Sequence, residues 1–250
     1  MKLDERNLIK KINSRPWYHR IEIRPGIITP GINDSFANLK LLDLPNDCSG
    51  LKVLDLGTRD GFFAFEMERR GADVIAVDYM DRRETGFQVA AELLNSHVNF
   101  KRKNIYQLTA KKYGTFDIVL FLGLIYHLPD PMRALRIARS LCKGYLFLES
   151  HVIDNGILLA DGKTVPLTEL SDLLANVPLM QFYQGSSLNN DPTSYWGPNL
   201  RCLEEMLIES NFKVLRRKLS GSRAIFKCKI AFDKKLAYYN DMAFGEKSDL

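Results

Sequence analysis

The 250-residue chain is poor in the residues that build special scaffolds: four cysteines, four histidines and two tryptophans. Cys48, Cys142, Cys202 and Cys228 stand far apart and form no CxxC pair. That excludes a disulfide framework and a zinc ribbon and points to a reducing compartment. No His, Cys, Asp or Glu set has metal-ligand spacing, so no metal is expected. Long apolar runs are missing as well. The longest, Ile118 to Tyr126, is about half of a membrane span, so no membrane partner is expected. The opening MKLDERNLIKK lacks the apolar core of a signal peptide, and a cytoplasmic location is expected. Neither sign of charge dominates: 35 Lys and Arg face 30 Asp and Glu, a net +5 that permits an anionic partner without demanding one. What remains is 46% apolar and 26% charged, the composition of a soluble globular protein. The length suits one large α/β domain or two small ones, with enough buried surface to fold without covalent staples.

Residues 1–45 have no regular period. PWYHRIEIRPGIITPG (16–31) mixes aromatics, alternating isoleucines and turn residues and predicts a short hairpin or flap. From Leu51 the rhythm changes. LKVLDLG (51–57) predicts a buried strand, and GFFAFEMERRG a helix stopped by Arg69, Arg70 and Gly71. ADVIAVD (72–78) predicts a second strand, Phe87–Leu94 a helix, VNFKRK (98–103) a third strand and FDIVLFLGL (116–124) a fourth. Asp130 caps a helix begun by Pro131, and GYLFLES (144–150) is a fifth strand. Strands that are continuous apolar runs, alternating with helices, imply a parallel sheet covered on both faces.

After Glu149 the alternation stops. A helix is expected near Leu167–Leu174, then a polar, aromatic loop, then an amphipathic helix capped by Asn199 with Leu200, Leu203 and Leu207 on one face. RAIFKCKI (223–230) alternates like a half-exposed antiparallel strand, with Ala224, Phe226, Cys228 and Ile230 on one side. The expected organisation is an N-terminal flap (1–45), a main domain (46–231) with a lid insertion at about 151–198, and a C-terminal tail (232–250).

The first strand-to-helix turn reads Asp55-Leu56-Gly57-Thr58-Arg59-Asp60-Gly61. A glycine-bearing turn there lets backbone approach a ligand and aims a helix N-terminus at it. A dinucleotide pyrophosphate requires GxGxxG, and this spacing is GxxxG, so the dehydrogenase signature is absent. Taken alone, Asp55 and Gly57 also suit an ordinary tight turn, and Asp78 a helix cap. The DxGxxxG form followed by an acid ending the second strand, Asp78, resembles the class I S-adenosylmethionine-dependent methyltransferases. The resemblance implies a Rossmann-like, doubly wound, mostly parallel seven-stranded sheet with an antiparallel strand near the C-terminus. It also implies S-adenosylmethionine as cofactor. The Asp55–Gly61 loop, with Gly57 and Thr58, would hold the methionine moiety. Asp78 would accept both ribose hydroxyls, and Tyr79 and Met80 would flank the adenine. Asn104 and Ile105 after the third strand, and Leu122, Gly123 and Tyr126 after the fourth, would complete the cofactor site.

The segments PWYHRIEIRPGIITPG, VLDLGTRDGFFAFEMERRGA, LIYHLPDP and LESHVID in this order resemble one branch of that class, from Trp17 to Lys227. It is the branch around the tRNA wobble-uridine 5-oxyacetate (5-methoxyuridine) methyltransferases and their small-molecule relatives. The tRNA enzymes of that branch use carboxy-S-adenosylmethionine. Tyr126 matches a tyrosine of their carboxylate site and Arg223 matches its arginine. Their tryptophan-rich, lysine-bearing segment before the first strand is replaced here by NDSFANLKLLDLP, so ordinary S-adenosylmethionine is the expected cofactor.

Methyl transfer to a weakly acidic hydroxyl needs alignment and a base. His127 and His151, both following strand ends, and Glu149, ending the fifth strand, are the catalytic candidates. His127 could equally bridge the strand end to the next helix cap, and Glu149 could pair with an arginine. Trp17, Tyr18 and His19 of the flap, Tyr183, Tyr195 and Trp196 of the long loop, and Arg223 are the acceptor-binding candidates. The loop aromatics would roof a pocket or form a satellite cluster. The basic clusters at 101–103 with Lys111 and Lys112, and at 216–218 with Lys227 and Lys229, read as solvated rims. The leading expectation is methyl transfer to an O or N of a small-molecule acceptor. A tRNA-modifying enzyme and a non-catalytic scaffold are the alternatives.

Overall fold

Apolar runs bounded by glycine-bearing turns become the strands, and the stretches between them coil. A computed structural model describes residues 4–231. They divide into two compact units, one running to Leu108 and the other beginning at Thr109. The first holds α1 (Glu5–Ile12), β1 (Glu22–Arg24), β2 (Ile27–Ile28), α2 (Ser35–Leu42), β3 (Lys52–Leu56), α3 (Phe62–Arg69), β4 (Asp73–Asp78), α4 (Phe87–Leu94) and β5 (Asn99–Arg102). β3 pairs parallel with β4, and β4 with β5. The short β1 and β2 form the hairpin expected within 16–31.

The second unit holds α5 (Ala110–Tyr113), β6 (Phe116–Leu122), α6 (Pro131–Leu141), β7 (Cys142–His151), β8 (Ile157–Leu158), β9 (Thr164–Val165), α7 (Leu167–Leu170), β10 (Met180–Phe182), β11 (Trp196–Pro198), α8 (Leu200–Glu209), β12 (Phe212–Ser220) and β13 (Arg223–Ile230). β6 and β7 run parallel, β13 lies antiparallel to β7, and β12 antiparallel to β13. The seven main-sheet strands expected are therefore present, three in the first unit and four in the second. The helix starts follow their caps. The Asp130 carboxylate accepts from Arg133 N at 3.0 Å, and Asn199 accepts from Cys202 N at 2.8 Å.

Two readings are corrected and one strand is added. The expected helix near Leu167–Leu174 breaks at Ser171, which is extended and whose hydroxyl accepts from Leu173 N at 3.2 Å. A 3₁₀ turn, Asp172–Asn176, follows. Hydroxyl-to-backbone bonding of this kind competes with helix. The 223–230 strand is not half-exposed: it lies between β7 and β12 and buries Ile225 as well as Ala224, Phe226 and Cys228. β12 itself escaped the sequence reading because Arg216, Arg217 and Lys218 mask its pattern. Charge on an end strand protects an open edge. The tail from 232 lies outside the described residues.

Asp60 ties the first unit together. It is fully buried, and its Oδ2 accepts from Tyr18 N at 2.7 Å and His19 N at 2.8 Å, while Oδ1 accepts from Gly86 N at 2.9 Å. One carboxylate thus joins the N-terminal segment, the glycine loop and the start of α4. Trp17 packs against the same point: a Cβ at Gly86 would run into its ring. An Asp60→Ala change strands three backbone N–H groups, each worth roughly 1–3 kcal/mol. The expected outcome is a loss of about 3 kcal/mol or more in urea unfolding, with amides of 18–33 losing hydrogen-exchange protection before those of β3 and β4. Unchanged protection of 18–33 would contradict this role.

Candidate functional site

In the first unit the candidate residues gather where β3 and β4 end. Gly57 N and Thr58 N both donate to Val77 O, at 2.9 and 3.1 Å, and Gly61 N donates to Thr58 O at 2.8 Å. The loop turns through left-handed backbone at Gly57 (φ +75°) and Gly61 (φ +92°), which glycine adopts without strain. Asp78 closes the cluster. Its Oδ2 accepts from Arg59 N and its Oδ1 from Met80 N, both at 2.8 Å. A carboxylate oxygen can take more than one donor, so acceptor capacity remains beyond these bonds. Burial pushes the Asp78 carboxyl above its usual range, and those amides with the Arg59 charge pull it partly back.

Asp55 is only 2% exposed, and its Oδ2 has no hydrogen-bond partner; neither does the buried Thr58 hydroxyl. Burial pushes the Asp55 carboxyl up to about 7, with the Asp78 charge adding to it and Thr58 and the α3 backbone opposing it. A buried acceptor without a donor is costly unless something supplies one. Around this cluster, Tyr79 is 71% exposed, and its carbonyl accepts from Arg102 Nε at 3.2 Å. Met80 is half-buried. Asn104 caps the 3₁₀ turn at Ile105–Gln107 by accepting from Tyr106 N at 3.0 Å, and Ile105 is buried beneath it.

The flap residues divide. Tyr18 is half-buried under the Arg59 guanidinium, 5.0 Å from the ring centroid. Trp17, expected to bind acceptor, is instead core: it is 7% exposed, and its indole donates to Ile12 O at 2.7 Å. His19 is equally buried, and burial pushes its imidazole down to about 4, against the pull of Asp60.

In the second unit the register of the strands brings four candidates together. Leu122 pairs with Glu149, and Gly123 N donates to Glu149 O at 3.0 Å. Arg223 stands opposite His151 on β13. It donates from Nη1 to the Tyr126 hydroxyl at 3.1 Å, lies 5.2 Å from the Tyr126 ring centroid, and places Nε 3.4 Å from Glu149 Oε1. Burial raises the Glu149 carboxyl and the Arg223 charge opposes that. Glu149 therefore has the arginine partner weighed as its alternative role.

His127 follows Tyr126, with ring centroids 4.0 Å apart, and keeps part of its side chain open to solvent. His151 does not. It is buried, its Nε2 is 2.9 Å from the Tyr183 hydroxyl, and burial with the neighbouring Arg223 charge pushes it down to about 4. A buried imidazole so held stays neutral near pH 7 and packs the strand end, so its catalytic candidacy is withdrawn. Tyr183 is corrected with it. It is not a roof over a pocket but part of a satellite core with Ile153 and Leu167. Tyr195 and Trp196 do remain at the surface of the loop and stitch it down. Tyr195 N donates to Tyr126 O at 2.9 Å, and Trp196 Nε1 donates to Pro129 O at 3.3 Å. Sequence reasoning missed Asp60, Asp191 and Thr193. The last two sit in Asn-Asn-Asp-Pro-Thr (189–193), a turn signal that hides their side chains' second role.

Among the described residues, no helix is long and apolar enough to cross a membrane and no cluster of three or more His, Cys, Asp or Glu could hold a metal. Residues 33–215 match the family described as "Methyltransferase domain". A tRNA U34 carboxymethyltransferase from Campylobacter hominis is 33% identical over 148 residues, 57% of this chain and 51% of that protein. A ubiquinone biosynthesis O-methyltransferase from Acinetobacter baylyi is 30% identical over 105 residues, 41% of this chain and 44% of that protein. The chain thus spans about half the length of the curated relatives it matches. The N-terminal domain of EvdMO1, crystallised with SAH and D-fucose, superposes with a TM-score of 0.59 at 17% identity. That match covers 92% of this chain and 98% of the other, a likeness of fold.

The buried Asp55 yields a test. With its pKa raised to about 7, the folded chain holds a proton that the unfolded chain releases near 3.9. Stability from this group is therefore present at low pH and lost as pH rises from about 4 to about 7, by up to ~4 kcal/mol. Asp55→Asn removes that dependence. The variant should exceed wild type in Tm at pH 7.5 and match it closely at pH 4.5, read by calorimetry without ligand. An offset that is the same at both pH values would refute the assignment.

Proposed function

This chain belongs to the methyltransferase-domain family, in the class I S-adenosylmethionine-dependent group, and from that premise we propose that it transfers a methyl group to an O or N of a small-molecule acceptor. The bound cofactor supplies a sulfonium methyl already primed for displacement. The residues of the first unit fit such a group. Asp78 retains acceptor capacity for ribose hydroxyl donors, and Asp55 and Thr58 hold buried polar atoms that lack partners. In the second unit His127 would take the proton as the acceptor oxygen forms its new bond to carbon. Positioned bases contribute roughly 10²–10⁴-fold in rate. A cytoplasmic location accords with this reading.

The observation that carries the choice of ordinary cofactor, and with it the small-molecule reading, is the pairing of Arg223 with Glu149 at 3.4 Å. A guanidinium already paired with a half-buried carboxylate offers little to a second carboxylate, which would also meet Glu149 itself. One observation favours the second reading, a wobble-uridine carboxymethyl transfer. Arg223 and Tyr126, the two positions matching that branch's carboxylate site, are in contact.

Calorimetric titration separates the two. S-adenosylmethionine should bind at least as tightly as carboxy-S-adenosylmethionine, and Arg223→Ala should leave that ratio unchanged. A preference for the carboxylated form that disappears in Arg223→Ala would overturn the small-molecule reading in favour of tRNA. In the same titrations Asp78→Ala should weaken S-adenosylmethionine by about 1.5–3 kcal/mol, the cost of leaving bound hydroxyls without their acceptor. Undiminished affinity would remove Asp78 from the site.

A further inference from the structure

His127 is held from the long loop by a chain of two hydrogen bonds. The Thr193 hydroxyl oxygen lies 3.0 Å from His127 Nδ1 and 2.6 Å from Asp191 Oδ1. Asp191 Oδ1 also accepts from Thr193 N at 2.9 Å, and Asp191 Oδ2 lies 3.9 Å from His127 Nδ1. A hydroxyl has one proton to give, and a carboxylate oxygen can only accept. At 2.6 Å the Thr193 proton must lie toward Asp191, because two bare oxygens that close would repel. Thr193 Oγ1 can then only accept from the ring, so Nδ1 carries the hydrogen. A neutral imidazole has one N–H, which leaves the lone pair on Nε2.

From this we propose that Asp191 and Thr193 are positioning residues that fix His127 in the Nδ1–H tautomer and so make Nε2 its proton acceptor. Nothing in the motifs around His127 assigns the loop such a part. The role given to Nε2 rests on the methyl transfer proposed above; the tautomer does not. In that reaction the acceptor's O–H proton passes to Nε2 while an oxygen pair forms the bond to the methyl carbon. The carbon–sulfur bond breaks with its pair left on sulfur. His127 becomes an imidazolium whose Nδ1–H faces Thr193, with the Asp191 charge just beyond. Other charged or titratable groups near the ring include Tyr126, its centroid 4.0 Å away, His151, whose proton affinity His127 lowers, and Arg223, which donates to Tyr126. Holding the correct tautomer is a large part of what an orienting partner contributes to a catalytic histidine.

The test is ¹⁵N NMR of the imidazoles in the uniformly labelled full chain, recorded well above the ordinary imidazole pKa of about 6.5. The His127 signals are identified by their loss in His127→Gln. In wild type and Thr193→Ser the Nδ1–H pattern is expected. Thr193→Val removes the acceptor, and Asp191→Ala frees the hydroxyl to donate to Nδ1. Both should move His127 toward the Nε2–H form that free imidazole side chains favour in water. An Nε2–H pattern in wild type, or an Nδ1–H pattern that survives Thr193→Val, would overturn the proposal. Thr193 is exposed, so replacing it opens no cavity in a core. If the tautomer is as stated and His127→Gln nonetheless retains full kcat, the base role fails and the relay stands, which separates the two readings.

Discussion

A single buried carboxylate organises the first unit. Asp60 takes three backbone donors from segments 41 and 26 residues away in sequence, so the N-terminal stretch, the glycine loop and the start of α4 share one anchor. The loop's Asp55 and the strand-ending Asp78 lie close enough for their charges to interact, with Arg59 acting on Asp78. The cost of that arrangement appears as raised carboxyl pKa values, a pattern that accompanies sites built to receive a ligand.

The second unit solves a related problem by pairing. The register of β13 against β7 sets Arg223 beside Glu149 and within reach of Tyr126, so a half-buried carboxyl, a guanidinium and a phenol lie together. Next to this set His127 keeps part of its side chain open to solvent, whereas His151 is sealed against Tyr183. Two histidines at neighbouring strand ends thus have opposite fates, decided by burial and by what lies across from each ring.

Much of this was legible in the sequence. The DxGxxxG turn, the acid at Asp78 and the Asp130-Pro131 start are local, since a few adjacent residues decide them, and the structure agrees to within a residue or two. The mistakes share a cause. Trp17, Tyr183 and His151 are amphipathic residues whose type suits both a core and a site, and only the packing of distant segments decides which. The β12 strand was hidden by Arg216, Arg217 and Lys218, whose charge protects an edge and erases alternation. Asp60, Asp191 and Thr193 act through bonds to backbone or to a ring far away in sequence. Spacing carries no trace of such bonds.

The long loop is fastened to the stretch after β6 near its far end. Thr193, Tyr195 and Trp196 reach the short stretch 126–129 by three bonds, while residues 184–192 run between β10 and those fastenings, turning through left-handed Asn189 and Asn190. Only one of the three bonds, that from Thr193 to the His127 ring, joins side chain to side chain; the others include a main-chain group. Side chains at the exposed positions 184–187 can therefore be exchanged without unseating the histidine, whereas Asp191, which holds Thr193, cannot. Lineages that keep this frame are free to acquire new acceptors by changing the loop's tip, so closely related chains of this shape can be expected to diverge in specificity long before they diverge in chemistry.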